Sequence, residues 1–379
     1  MHIDPAFDDI RPYTDEEVPV VIQRLIEKPS FTKLLKYVFP ERQIETIFEE
    51  LRQVNSVHQL QKLFIRKLVR SLIRQSISAL TYEGFDNLQS DTAYLFVSNH
   101  RDIILDPALL NVLLFEHGFE TSHIAIGNNL LFSRLVSDLM KLNKSFVVQR
   151  DLGRHEMYRH RQHLSAYIRY VITQLKEHVW IAQGNGRSKD GNDRTQTALL
   201  KLFYISGQDD FVNNLLPLHI TPMSISYEYD PCDVEKARES YIRACTGTYT
   251  KAPDEDKKSM IRGITEPKGR VHLSLGRPLA EELEQLADIT NKNERFRKLA
   301  LMIDQQIHKG YRLWPNNYIA ADWLQASDAN KAFYTQEEKA AFEDYLFSRI
   351  AQTNISRDEL LPYLLQIYAN PLFNRQSYC

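Results

Sequence analysis

Residues 93–107 read AYLFVSNHRDIILDP, an apolar run from Ala93 to Val97 followed by a turn that carries His100, Asp102 and Asp106. The run reads as a β-strand. Others of the same kind follow at Ser122 to Ile126, Phe146 to Val148, Val179 to Ala182, Ile220 to Tyr227 and Val271 to Leu275, separated by segments of helical periodicity. Strands alternating with helices predict an α/β fold with a mixed, partly parallel sheet flanked by helices. In such sheets a ligand sits at the carboxyl ends of the strands, which is where the turn after Val97 lies.

Outward from this α/β domain, taken as residues 91–280, both flanks read as helical. Residues 1–90 place apolar side chains three and four apart through Val18 to Phe39 and again from Ile44, with Pro40 between. Leu51 to Tyr82 holds no acidic residue, while Lys62, Arg66, Lys67, Arg70 and Arg74 alternate with Leu63, Phe64, Ile65, Leu68, Val69, Leu72 and Ile73. This basic amphipathic stretch, a helix over 58–80, has two readings: a core-packing helix with a solvated basic face, or a helix docked on an anionic bilayer. In the second, each cation would add roughly 1 kcal/mol. Lys251 to Lys258 reads as a solvated excursion. Residues 281–379 return to helices, with Leu360 to Tyr378 as a terminal packing segment.

The chain has 379 residues, 43% hydrophobic and 25% charged, which excludes disordered and low-complexity classes. Its 47 Lys and Arg against 49 Asp and Glu leave no global excess to draw an anionic partner, so such a partner must meet a local patch. Lys141 to Lys201 supplies one, with twelve Lys and Arg against five acids. No basic motif interleaved with aromatic residues accompanies it, so nucleic acid is not an expected partner. Cys232, Cys245 and Cys379 form neither a disulfide framework nor a four-thiolate zinc site, and a reducing compartment is expected. The acidic N-terminus lacks the features of a secretory signal. The longest uncharged run, Phe211 to Tyr227, is broken by Asn213, Asn214, Pro217, His219 and Pro222, so no transmembrane helix is expected. These features predict a cytoplasmic location.

A histidine beside carboxylates in the turn leaving a strand suits a general base with an orienting acid, because imidazole titrates near neutrality. Phe146 to Arg150 reads as a strand delivering Arg150 at its end. Gln183-Gly184-Asn185-Gly186-Arg187-Ser188 follows another strand as a glycine-containing loop, whose amides and guanidinium suit an anion. Several other motifs fail. His-Arg-Asp without a following Asn, DFG or GxGxxG is no kinase loop. Gly186 to Gly191 lacks the Lys-Ser/Thr of a Walker loop, and His155 and His160 are one residue too far apart for HExxH. No GxSxG elbow is present, so no covalent nucleophile and no metal site are expected.

Taken in chain order, these pieces resemble the glycerophospholipid acyltransferase family, which includes bacterial 1-acyl-glycerol-3-phosphate acyltransferases. Asn99-His100 with Asp106-Pro107 resembles the family's catalytic His-x4-Asp block, and Phe146 to Arg150 the block ending in a substrate-binding arginine. Asn185-Gly186-Arg187-Ser188 resembles the Glu-Gly-Thr-Arg-Ser block, and Leu218 to Ser224 the proline-containing fourth block. The likeness covers about residues 90 to 280. Beyond it, Tyr311 to Ile319 and the helical N-terminus resemble longer bacterial members. Two features depart from the pattern: five residues separate His100 from Asp106, which leaves Asp102 or Asp106 as the orienting acid, and Asn185 stands where the family has glutamate.

The resemblance implies acyl transfer from acyl-CoA or acyl carrier protein to a hydroxyl of a glycerophospholipid precursor, chiefly 1-acyl-glycerol 3-phosphate. His100 would be the general base, oriented by Asp106, with Arg150, Asn185, Gly186, Arg187 and Ser188 binding substrate and no cofactor beyond the acyl donor. A lysophospholipid acceptor would bring the protein to the cytoplasmic face of a membrane as a peripheral partner. The alternatives are glycerol 3-phosphate or a lyso-aminolipid as acceptor, or a catalytically impaired lipid-binding protein.

Overall fold

The computed structural model describes residues 3–150 and 152–378; Cys379 lies outside them. Seven strands, β1 Ala79–Glu83, β2 Leu95–Ser98, β3 His123–Gly127, β4 Ser145–Val148, β5 Val179–Ala182, β6 Ile220–Tyr227 and β7 Arg270–Leu275, form one sheet in the order β1-β7-β6-β2-β5-β3-β4. From β6 to β4 every pairing is parallel; β7 runs antiparallel to β6 and pairs in parallel with β1. The sheet is therefore mixed and mostly parallel. β2 is central and wholly buried: Leu95 and Val97 enter the core on one face and Phe96 the core on the other, as the two-residue period of a strand requires.

All six strands expected from the sequence are present, and β1 is additional. It falls inside the segment read as helical, because an edge strand with mostly exposed side chains shows no apolar run.

The N-terminal helices α1 Val18–Ile26, α2 Pro29–Val38, α3 Ile44–Arg52 and α4 Val57–Leu60 enclose a core of their own that includes Ile22, Phe31, Leu35, Ile47 and Leu60. A π turn at Gln61–Ile65 carries α4 into α5 Arg66–Ser76. α5 and α6 Leu105–Glu116 cover one face of the sheet through Val69, Ile73, Leu109 and Leu113. α7 Arg134–Leu142 links β3 to β4. The opposite face is covered by α8 Arg154–Tyr170, α9 Thr197–Tyr204 and α10 Phe211–Leu215, joined after β7 by α13 Ala280–Glu284 and α14 Lys292–Lys309. α11 Asp233–Thr246 and α12 Glu255–Thr265 connect β6 to β7. α11 shares a third core with α15 Pro315–Gln325, α16 Gln336–Ile350 and α17 Arg357–Gln376.

The basic stretch ends as a helix at Ser76, short of the expected residue 80. Its apolar face, with Phe64, Val69, Leu72 and Ile73, is buried in the protein rather than offered to a bilayer. Arg70 is paired with Glu116, its Nε donating to Oε1 at 2.7 Å, and Arg66 lies over the Phe115 ring at 5.0 Å. Lys62, Lys67 and Arg74 remain exposed. Among the described residues no helix is long and apolar enough to cross a membrane.

Candidate active site

Because β2 and β5 are parallel and in register, with Ser98 opposite Ala182, the turns that follow them leave the sheet at the same edge. The ends of β3 and β4, with Gly127 opposite Val148, lie on that edge too. The turn after β2 is anchored first by Asn99, which exchanges two hydrogen bonds with Ile225 of β6. Its Nδ2 donates to the Ile225 carbonyl at 3.0 Å and its Oδ1 accepts from the Ile225 N–H at 2.8 Å.

The two carboxylates of the turn then separate in role. Asp102 caps α6: its Oδ1 accepts from the backbone N–H of Ile104 at 2.9 Å and Leu105 at 2.7 Å, a satisfaction of orphan helix donors. Burial, reinforced by the charge of Asp106, raises the Asp102 carboxyl above its ordinary value. Asp106 sits in the first turn of α6 with no exposed surface. Its Oδ2 accepts from His100 Nδ1 at 2.8 Å and from the backbone N–H groups of Arg101 at 2.6 Å and Asp102 at 3.0 Å. Its Oδ1 accepts from the Tyr227 hydroxyl at 2.7 Å. Burial, then the Asp106 charge, pushes the Tyr227 phenol well above its usual range, so it remains a donor. Asp106, not Asp102, therefore contacts His100. The extra residue in the spacing is taken up by the capping turn.

With Nδ1 committed to Asp106, His100 Nε2 has no partner among the described residues, and the ring borders a cavity of ≈ 320 Å³. Trp180 of β5 packs edge-on to the imidazole, ring centroids 5.4 Å apart. Apolar lining comes from Ala125, Leu130, Val148, Met157, Leu164, Leu199 and Leu202. Arg150, Arg161, His160, Gln196, Asn185 and Gly186 add polar groups.

Of the expected substrate-binding residues, Arg150, Asn185 and Gly186 line this cavity, and Arg187 and Ser188 do not. Arg187 lies on the Asp102 side of the loop, where its charge acts on Asp102, Cys232 and Asp256 and its Nη1 is buried without a partner. The loop amides expected to meet an anion are already engaged. Gly186 N–H donates to the Gly184 carbonyl at 2.9 Å, and Ser188 N–H donates to the His100 carbonyl at 3.0 Å. The physical reason is the turn itself: Gly186, at φ +90°, folds the loop back on Gly184.

Sequence reading missed a buried network behind the turn. Arg101 points away from the cavity; its Nη2 donates to Asp193 Oδ2 at 2.6 Å and its Nη1 lies 3.6 Å from Asp230. Burial alone would lower its pKa, but Asp193 and Asp230 more than offset this and hold the guanidinium charged. Lys236 Nζ donates to the Arg101 carbonyl at 2.9 Å and pairs with Asp230. Tyr311, in the segment after α14, donates its hydroxyl to Asp193. Arg161 was also missed. Its spacing of four from Met157 and three to Leu164 on one helix could have found it.

Residues 79–225 match the family model described as Acyltransferase. Among curated proteins, dihydroxyacetone phosphate acyltransferase of Bos taurus is 23% identical over 208 residues, and that of Mus musculus 24% over 207. Each match covers 52% of this chain, and the chain spans only 28% of either relative's length. Among solved structures, the 1-acyl-sn-glycerophosphate (LPA) acyltransferase PlsC from Thermotoga maritima overlaps 76% of this chain and 91% of its own at 14% identity and a TM-score of 0.40. Through residues 79–225 the chain is thus similar to the acyltransferases that this family model describes.

Proposed function

We propose that the protein transfers a fatty acyl group from a thioester, carried by coenzyme A or acyl carrier protein, to a hydroxyl of a glycerol-backbone phosphate, with 1-acyl-glycerol 3-phosphate as the acceptor. The observation that carries this reading is the contact of His100 Nδ1 with the fully buried Asp106 at the mouth of a largely apolar cavity. His100 Nε2 takes the proton of the acceptor hydroxyl as its oxygen attacks the thioester carbonyl. When the tetrahedral intermediate collapses, the carbon–sulfur bond breaks and the imidazolium returns the proton to the departing thiolate. Asp106 fixes the tautomer and stabilises the imidazolium. The apolar lining accommodates the acyl chain, each buried methylene contributing about 0.8 kcal/mol. Arg150, which lines the cavity, holds the acceptor phosphate. Asn185 lines the cavity as a neutral hydrogen-bonding group. Membrane attachment through Lys62, Lys67 and Arg74 is electrostatic, since the apolar face of that helix is buried.

A second acceptor reading, dihydroxyacetone phosphate or glycerol 3-phosphate, draws support from the curated relatives, which are named for the first of these. Acyl transfer by the purified full chain, with both thioesters and a panel of lysophosphatidic acid, dihydroxyacetone phosphate, glycerol 3-phosphate and a lyso-aminolipid, tests the proposal. Product from a phosphate acceptor with wild type and none with His100→Ala is expected. Product that persists in His100→Ala removes this residue from the chemistry. No product from any pair, with lipid binding intact, makes the protein a lipid binder instead.

A further inference from the structure

Gly127, the last residue of β3, has an extended backbone at φ −69° and ψ 142°, a conformation that any residue adopts. Backbone freedom therefore does not call for glycine here, as it does at Gly84 with φ +83°. Space does. A Cβ on Gly127 would stand 2.6 Å from Arg150 Nε and 3.0 Å from Arg150 Cζ, so the guanidinium lies directly on the bare backbone at the end of β3. The Asn129 side-chain oxygen is the other atom that such a Cβ would meet.

The strands bring these groups together. β3 and β4 are parallel with Gly127 opposite Val148, and Arg150 follows two residues later. The backbone just before Arg150 is pinned to α8, because the Gln149 N–H donates to His160 Nε2 at 2.9 Å. The Arg150 side chain itself has no ion pair or hydrogen bond among the described residues, so its packing on Gly127 fixes where the head lies. Gly127, Gln149, Arg150 and His160 all line the cavity that His100 borders. With both strand ends held, the side chain at 150 is the part that gives way to a methyl group at 127. Restoring an ordinary contact of about 3.5–4.0 Å moves the guanidinium by about 1 Å. A planar fork that must offer two parallel N–H groups to one phosphate is sensitive to a shift of that size.

We propose that Gly127 is a positioning residue for the acceptor phosphate: the missing side chain at 127 is the seat that aims Arg150 into the cavity. Any larger residue there lowers the affinity for a phosphate-bearing acceptor. This rests on the reading of Arg150 as the group that holds that phosphate, and it adds the residue that places it.

The test uses the full chain as wild type, Gly127→Ala, Arg150→Ala, the double variant and Asn129→Ala, each checked by thermal unfolding. Acyl transfer to lysophosphatidic acid gives kcat and both KM values, and lysophosphatidic acid binding is measured separately without donor. Gly127→Ala is expected to raise the acceptor KM at least about fivefold, with kcat and the donor KM within about twofold of wild type. In the Arg150→Ala background the same substitution should add less than about twofold, since the group it displaces is gone. Asn129→Ala should leave the acceptor KM within about twofold of wild type, which separates the crowding of Arg150 from that of Asn129. An unchanged acceptor KM in Gly127→Ala, or an equal rise with and without Arg150, overturns the proposal. So does a rise of the same size in Asn129→Ala. Unchanged lysophosphatidic acid binding in Arg150→Ala refutes the phosphate role of Arg150 and the seat with it, whereas a loss there and none in Gly127→Ala refutes the seat alone. Weaker binding in both variants of a protein that transfers nothing leaves the seat standing and refutes the acyl-transfer reading.

Discussion

At His100 the decisive fact is which carboxylate it touches. Two acids lie within six residues of it, and they do different work: Asp102 closes the start of α6 through two backbone N–H groups, while Asp106 accepts from the imidazole, two amides and Tyr227. Asparagine caps a helix about as well as aspartate. Asp102→Asn is therefore expected to keep acyl-transfer rates within a few-fold of wild type, measured under saturating donor. A loss as large as that of His100→Ala would make Asp102 the orienting acid. The motif His100 to Asp106 was legible because both residues lie in one turn. Tyr227, Asp193 and Tyr311 were not, because they reach the turn from 90 to more than 200 residues away and only the folded chain joins them.

Among the elements, the strands were legible where both faces are buried. β5, Val-Trp-Ile-Ala, is an unbroken apolar run for that reason, whereas β1, an exposed edge, resembles the end of the helix before it. Periodicity showed that α5 is amphipathic but not what its apolar face meets; the sheet and α6 take that face, which settles it as a core-packing helix. The C-terminal helices have a role the sequence did not reveal. Through Tyr311 they reach Asp193, and through Asp193 they hold Arg101, the residue next to His100. Arg101→Met leaves Asp193 buried without its cation, while Asp230 keeps Lys236, which should cost about 3–5 kcal/mol. Tyr311→Phe removes one charge-assisted hydrogen bond, for about 1.5–3 kcal/mol. Urea unfolding of the two variants should rank them in that order, and equal midpoints with wild type would show that the network bears no load.

For the whole molecule, the candidate site lies at the carboxyl edge of the sheet and a second polar cluster lies at the opposite edge, where β3 and β5 begin. There burial, aided by the charge of Lys144, pushes the His178 imidazole down to about 4 from its ordinary 6.5. The Tyr94 N–H donates to its Nδ1 at 3.0 Å, which holds the ring neutral. Below about 6.5 the unfolded chain takes up a proton that the folded chain refuses until about 4, so stability should fall as pH drops through that window. A lower urea midpoint at pH 5 than at pH 7, and a smaller difference in His178→Gln, would bear this out. Midpoints that rise towards pH 5 would contradict it.

The central claim is that His100 and Asp106 act as a catalytic dyad, and the steady-state rate of Asp106→Asn tests it most directly. Asparagine keeps the size and the Tyr227 contact but removes the charge that fixes the imidazole tautomer. With thermal unfolding checked to confirm a folded chain, kcat should fall by about 10²- to 10⁴-fold. A folded Asp106→Asn enzyme that transfers acyl groups at close to the wild-type rate would contradict the account.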